Sequence, residues 1–147
     1  EFNRPAAFEC LMELKGLRFS LAHAGWPWTD EFNSIIGEFF WGANNVDVYV
    51  DLTPGTPLVY RESVLRRLYL CGFSKLKTHI LWGTDKSTNH YDSAFAANLI
   101  RIDRGILEGI DRDANLYRPP SYAPNDFSDA GELLFHRNME TFFQKKS

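Results

Sequence analysis

Cysteine is nearly absent: the chain of 147 residues has two, Cys10 and Cys71. Each sits in an apolar helical pattern without metal-type spacing, so both read as reduced core residues. Also lacking is any apolar run near the roughly 20 residues that cross a bilayer, and no signal-peptide pattern opens the chain. A cytoplasmic location and no membrane partner are therefore expected. Excess positive charge is missing too. Sixteen Lys and Arg stand against nineteen Asp and Glu, for a formal net charge of −3, and the basic residues are scattered. Nucleic acid is not expected as a partner. What is there is a chain 44% hydrophobic and 15% aromatic, able to bury a core, with a length that suits one domain over residues 1–147.

Local patterns divide the chain into alternating elements. Asn3 is an N-cap candidate, Pro5 falls in the first turn, and Phe8, Leu11 and Met12 form an apolar stripe before Gly16 stops the helix. "LRFSLA" (17–22) alternates as a strand. Thr29 then caps a helix whose stripe is Phe32, Ile35, Ile36, Phe39 and Phe40, with Asp30 and Glu31 at the positive end of its dipole. "VDVYVDL" (46–52) alternates again, and "PGTP" (54–57) is a loop. A helix over roughly 60–71 carries Val64, Leu65 and Leu68 and stops at Gly72; "KTHILW" (77–82) is the third strand. A helix rich in Leu99, Ile102, Ile106 and Leu107 follows. A proline-rich loop (117–126) and a last helix over about 129–143 close the chain. Strands alternating with helices predict an α/β fold with a parallel sheet and right-handed crossovers.

In parallel α/β architectures ligands bind beyond the carboxyl ends of the strands. The first strand ends in His23, the second at Asp51 followed by Thr53, and the third in Gly-Thr-Asp, which places Asp85 at the same rim. An imidazole and a carboxylate there suit a metal or an acid/base pair. By pattern alone a histidine at a strand end, such as His23, is more often a satisfied polar residue than a ligand, and Gly and Asp are ordinary turn residues. Trp26 and Trp28 either touch substrate or cover the strand ends. His90 and Tyr91 lie in the loop after Asp85, where they line a pocket or face solvent. His79 reads as structural and His136 as a surface or packing residue. Asp47 and Asp51 alternate with the valines, which turns them toward a polar interior.

"LKGLRFSLAHAGWPW", "NNVDVYVDL" and "LKTHILWGTD" together resemble the amidohydrolase-related (amidohydrolase 2) family of metal-dependent TIM-barrel hydrolases. In that family strand six ends in His-x-Gly, strand seven is an Asn-Val-Tyr-Asp type of run, and strand eight ends in Gly-Thr-Asp. "FHRNMETFF" (135–143) is similar to the family's closing helix. The resemblance implies the C-terminal part of a (β/α)8 TIM barrel. It makes Asp85 the strand-eight aspartate, a metal ligand that takes the proton of a metal-activated water. It makes His23 the strand-six histidine, either a ligand or the group that polarises the substrate. Trp26, Trp28, Thr53 and His90 become substrate-binding candidates. A divalent metal, zinc or manganese, is the implied cofactor, and a carbonyl compound of a small organic acid (ester, lactone or amide) the implied substrate.

The family's remaining ligands would precede Glu1. A whole barrel takes about 250 residues, so the chain is expected to be the C-terminal portion of a longer protein. Lys86-Ser87 after the aspartate and the loop at 117–126 depart from the family pattern and leave the substrate class open. Two alternatives accompany the hydrolase reading: a metal-dependent non-oxidative decarboxylase of an aromatic acid, and a non-catalytic structural piece. A three-stranded sheet standing alone would expose two edges, so a homo-oligomer or poor solubility is expected in that case.

Overall fold

Alternation of apolar and polar residues yields three strands: β1 (Arg18–Leu21), β2 (Asp47–Leu52) and β3 (Ile80–Trp82). They form a parallel sheet in the order β1-β2-β3, with Arg18 opposite Asp47 and Val50 opposite Ile80. The computed structural model describes residues 4–41, 46–70, 76–116, 118, 120, 121 and 123–144. Asn3, Cys71, Gly72 and part of the proline-rich loop lie outside the described residues. Helices α1 (Thr29–Trp41), α2 (Arg61–Leu70) and α3 (Ser93–Asp113) follow the three strands in turn. The expected α/β alternation is present. Among the described residues no helix is long and apolar enough to cross a membrane.

Pleating divides the two faces of β2. Val48, Val50 and Leu52 are buried with Phe32, Ile36, Leu65 and Leu68 in the main core. Asp47, Tyr49 and Asp51 share the other face, as their spacing predicted. Tyr49 is nonetheless buried there, between the rings of His79 and Phe142, at 4.7 and 5.0 Å.

Several boundaries differ from expectation. The first helix, Pro5–Glu13, is 3-10 rather than α, and Arg4 at its cap position makes no side-chain cap. Its amide partner comes from α1, where Glu31 Oε1 accepts from the Ala6 N–H at 3.1 Å and the same carboxylate pairs with Arg4. Cys10 is exposed, not in the core. Three residues per turn send it away from the half-buried Phe8 and Leu11. Thr29 begins α1, but its hydroxyl is buried without a partner, so it does not cap. The third strand starts at Ile80, later than expected, because Leu76–Thr78 is a 3-10 turn. Lys77 of that turn is drawn to Asp129 at 2.8 Å and to the Asp126 carbonyl at 2.9 Å.

The closing helical run comprises α4 (Ala130–Glu132), a π segment (Leu133–Arg137) and α5 (Asn138–Phe143). Asn138, buried, donates from Nδ2 to the carbonyls of Lys77 and Ile80 at 2.9 and 2.8 Å, which fastens this run to the start of β3.

Candidate functional site

The chain leaves β1 through a 3-10 turn, Ala22–Gly25, in which His23 and Ala24 take left-handed backbone angles, φ 57° and 49°. Asp85, three residues beyond β3, has φ 54°. These three are the only non-glycine residues with positive φ among the described residues. Each such conformation costs on the order of 1–3 kcal/mol and persists where the surroundings enforce it. Gly25, at φ 71°, completes the turn: a Cβ there would collide with Phe32.

The strand ends meet at Thr53. Its Oγ1 lies 2.6 Å from Nδ1 of the half-buried His23. Gly83, just past β3, sits so close to Thr53 that a Cβ would fall 2.9 Å from its methyl carbon. Asp51, one turn of the pleat earlier on β2, is half-buried, and its Oδ1 is buried with no partner. Burial raises the Asp51 carboxyl above the usual carboxylate range and the charge of Asp85 adds to this; hydrogen bonding from Thr53 and the charge of His23 oppose it. Asp51 therefore lies within electrostatic reach of both His23 and Asp85.

In comparisons with protein-family models, curated proteins and solved structures, nothing matched the chain. Its chemistry is therefore read from the site alone.

A groove of about 550 Å³ runs along β1 from Pro5 and Phe8 to His23. Trp26 and Trp28 both line it, with Phe19 and Phe32 as further apolar wall. Trp26 stacks on Tyr60 with centroids 4.6 Å apart, whereas Trp28 is exposed. Ser20 also lines the groove, and its hydroxyl is buried without a partner. Apolar walls with few polar groups are typical of small-molecule pockets. The other expected substrate-binding residues are elsewhere. Thr53 spends its hydroxyl on His23. His90 is exposed, with Nδ1 3.0 Å from Ser87 Oγ, and Asp85 is exposed as well.

Sequence reasoning placed Asp51 on the polar face without giving it a part in the site, and missed Ser20 and also Gly55, whose backbone lies so close to His23 that a Cβ would fall 2.4 Å from the ring. The alternation of β2 and its place at the strand end carried the signal for Asp51. His79 is structural, as expected: Nε2 is 3.2 Å from Asp47 Oδ1, and its ring packs on Phe40 and Tyr49.

An imidazole and two carboxylates are divalent-metal ligands in kind, and the unpartnered Asp51 Oδ1 has lone pairs to give. Among the described residues, however, no three His, Cys, Asp or Glu side chains gather as a metal-holding group. A catalytic zinc takes three protein ligands. The residues fit such an ion in kind and fall short of it in number.

Proposed function

We propose that the chain contributes the carboxyl-end rim of a metal-dependent hydrolase of the amidohydrolase type, its strands β1, β2 and β3 serving as strands six to eight of a TIM barrel. The observation that carries the reading is the left-handed conformation shared by His23 and Asp85, two chemically able residues held at matching strand ends. The barrel reading gives edge strands β1 and β3 neighbours on their open sides and leaves the remaining metal ligands to other strands. Zinc or manganese, when bound, supplies Lewis-acid polarisation and a water of lowered pKa.

The roles of this chain's own groups follow from their chemistry. Asp85, exposed at the rim, accepts a proton from the attacking water and returns it to the leaving group. His23 donates the N–H of its outward ring nitrogen, Nε2, to the carbonyl oxygen, where negative charge develops during attack. The groove walled by Trp26 and Trp28 receives the apolar part of a small organic acid derivative and keeps bulk water away from it.

Those same indoles favour one second reading, non-oxidative decarboxylation of an aromatic acid. Incubation of the chain, joined to strands that supply the remaining metal ligands, with a panel of small esters, lactones, amides and aromatic acids, with zinc or manganese added, separates the two. Hydrolysis that disappears in Asp85→Asn supports the first, and CO₂ released from an aromatic acid supports the second. No turnover of any member, or turnover indifferent to Asp85→Asn, overturns both.

A further inference from the structure

At the amino ends of the strands, away from the rim, three able side chains meet at hydrogen-bond distance. Thr78 ends the 3-10 turn before β3, His79 follows it, and Asp47 opens β2. His79 Nδ1 lies 2.8 Å from Thr78 Oγ1, and its Nε2 lies 3.2 Å from Asp47 Oδ1. The packing on Phe40 and Tyr49 that makes His79 structural also fixes the plane of its ring. A cavity of about 580 Å³ adjoins all three residues, with Tyr49, Arg137 and Asn138 in its wall. Thr78 is exposed, whereas the side chains of His79 and Asp47 are 21% and 19% exposed.

The hydrogen bonds themselves place the protons. Arg18 Nε pairs with Asp47 Oδ2 at 2.7 Å, so Asp47 enters as a carboxylate. A carboxylate only accepts, and the proton between Asp47 and His79 therefore sits on Nε2. In the neutral imidazole the other nitrogen is then an acceptor, so the Thr78 hydroxyl donates to Nδ1. A hydroxyl on a base that a third group orients is an activated nucleophile. Such a triad is defined by roles and geometry, not by order in the chain. The ring is turned end for end relative to a serine protease, and either ring nitrogen can serve as the base.

We propose that Thr78, His79 and Asp47 form an acyl-acceptor site, at which small activated esters acylate Thr78. Thr78 Oγ1 attacks the carbonyl carbon while its proton passes to His79 Nδ1. Asp47 steadies the imidazolium so formed, and Arg137 in the cavity wall offers positive charge to the carbonyl oxygen as it becomes negative. The bond from carbon to the alcohol oxygen then breaks. The alcohol leaves with the proton from Nδ1, and the acyl group stays on Thr78. The step uses none of the rim residues and does not rest on the reading given to them.

Incubation of the whole chain with a small alkyl fluorophosphonate tests the site, since phosphorus stands in for the carbonyl carbon and fluoride for the alcohol. Intact mass and peptide mapping should show one adduct per chain, on Thr78. Thr78→Ser should still be labelled and Thr78→Val should not; Thr78 is exposed, so neither change disturbs the core. His79→Gln should slow labelling by the roughly 10²–10⁴-fold that a positioned base contributes. No adduct on the wild type, or one on any other residue, overturns the inference and needs no variant to fold. Labelling of His79→Gln at the wild-type rate overturns it as well. A metal-activated water at the rim leaves no covalent adduct, so labelling and rim hydrolysis succeed or fail separately.

Discussion

Arg61 and Asp103 join α2 to α3 through a two-point ion pair buried from water, Nε to Oδ1 at 2.6 Å and Nη2 to Oδ2 at 2.8 Å. Trp82 at the end of β3 donates from Nε1 to the same Asp103 at 2.8 Å, and Arg61 Nη2 reaches the Leu52 carbonyl at 3.3 Å. Two helices and the ends of two strands are tied at one point, beneath the rim that carries the site. Removing one partner leaves the other charge stranded, at a cost of about 3–5 kcal/mol. Asp103→Ala should therefore lower the urea midpoint steeply, and replacing both partners by apolar residues should restore part of the loss. A single-variant loss below about 1 kcal/mol would speak against a structural role for the pair.

Gly25 and Gly16 share a left-handed backbone, at φ 71° and 76°, but differ in surroundings. Alanine at Gly16 meets nothing within 4 Å and should cost about 1–2 kcal/mol for backbone strain alone. At Gly25 the same change drives a Cβ into fully buried Phe32 and should add about 1–3 kcal/mol of overpacking. Thermal melts of the two variants check the order; equal losses would mean that the His23 turn yields without resistance.

Arg18 donates from Nη1 to the carbonyls of Thr141, Phe142 and Gln144 at 3.1, 2.9 and 2.7 Å, while its Nε holds Asp47 at 2.7 Å. This closes the carboxyl end of α5 over the sheet. Arg18→Met should destabilise that end by about 1.5–3 kcal/mol and accelerate amide exchange in α5 while α3 stays protected. Equal exchange in both proteins would exclude Arg18 as the tie.

The Asp51 carboxyl sits above the usual carboxylate range because burial disfavours its charge. The folded chain thus binds this proton more readily than the unfolded one. The stability linked to the group is full below the ordinary carboxylate pKa and is lost as pH rises through the raised folded value. Asp51→Asn should accordingly melt higher than the wild type at neutral pH, with the gap closing in acid. A gap that widens in acid would reverse the assignment of burial as the dominant cause.

Much of this was legible in the sequence, for physical reasons. Period-two alternation located β1 and β2 and the polar face of Asp47 and Asp51; the 3.6-residue stripe located α1 through Phe32, Ile35, Ile36 and Phe39. What escaped depends on long-range partners. Lys77 leaves the strand for Asp129, and Glu31 supplies the amide partner at the first helix from 25 residues away. Buried Arg61 reads as an ordinary helix-surface charge until Asp103 meets it. At the site, His23 and Asp85 were visible as strand ends, but the engagement of Thr53 with the ring and the packing of Gly55 against it arise only when two loops come together.

The central claim is that His23 and Asp85 serve one site across the strand ends. Calorimetric titration of the protein with zinc, wild type beside His23→Ala and Asp85→Ala, tests it most directly. The account predicts a single weak site per chain, since the chain brings fewer than the three protein ligands a catalytic zinc takes, and its loss in either variant. A wild type that takes up no zinc, or an affinity unchanged by either substitution, would contradict it.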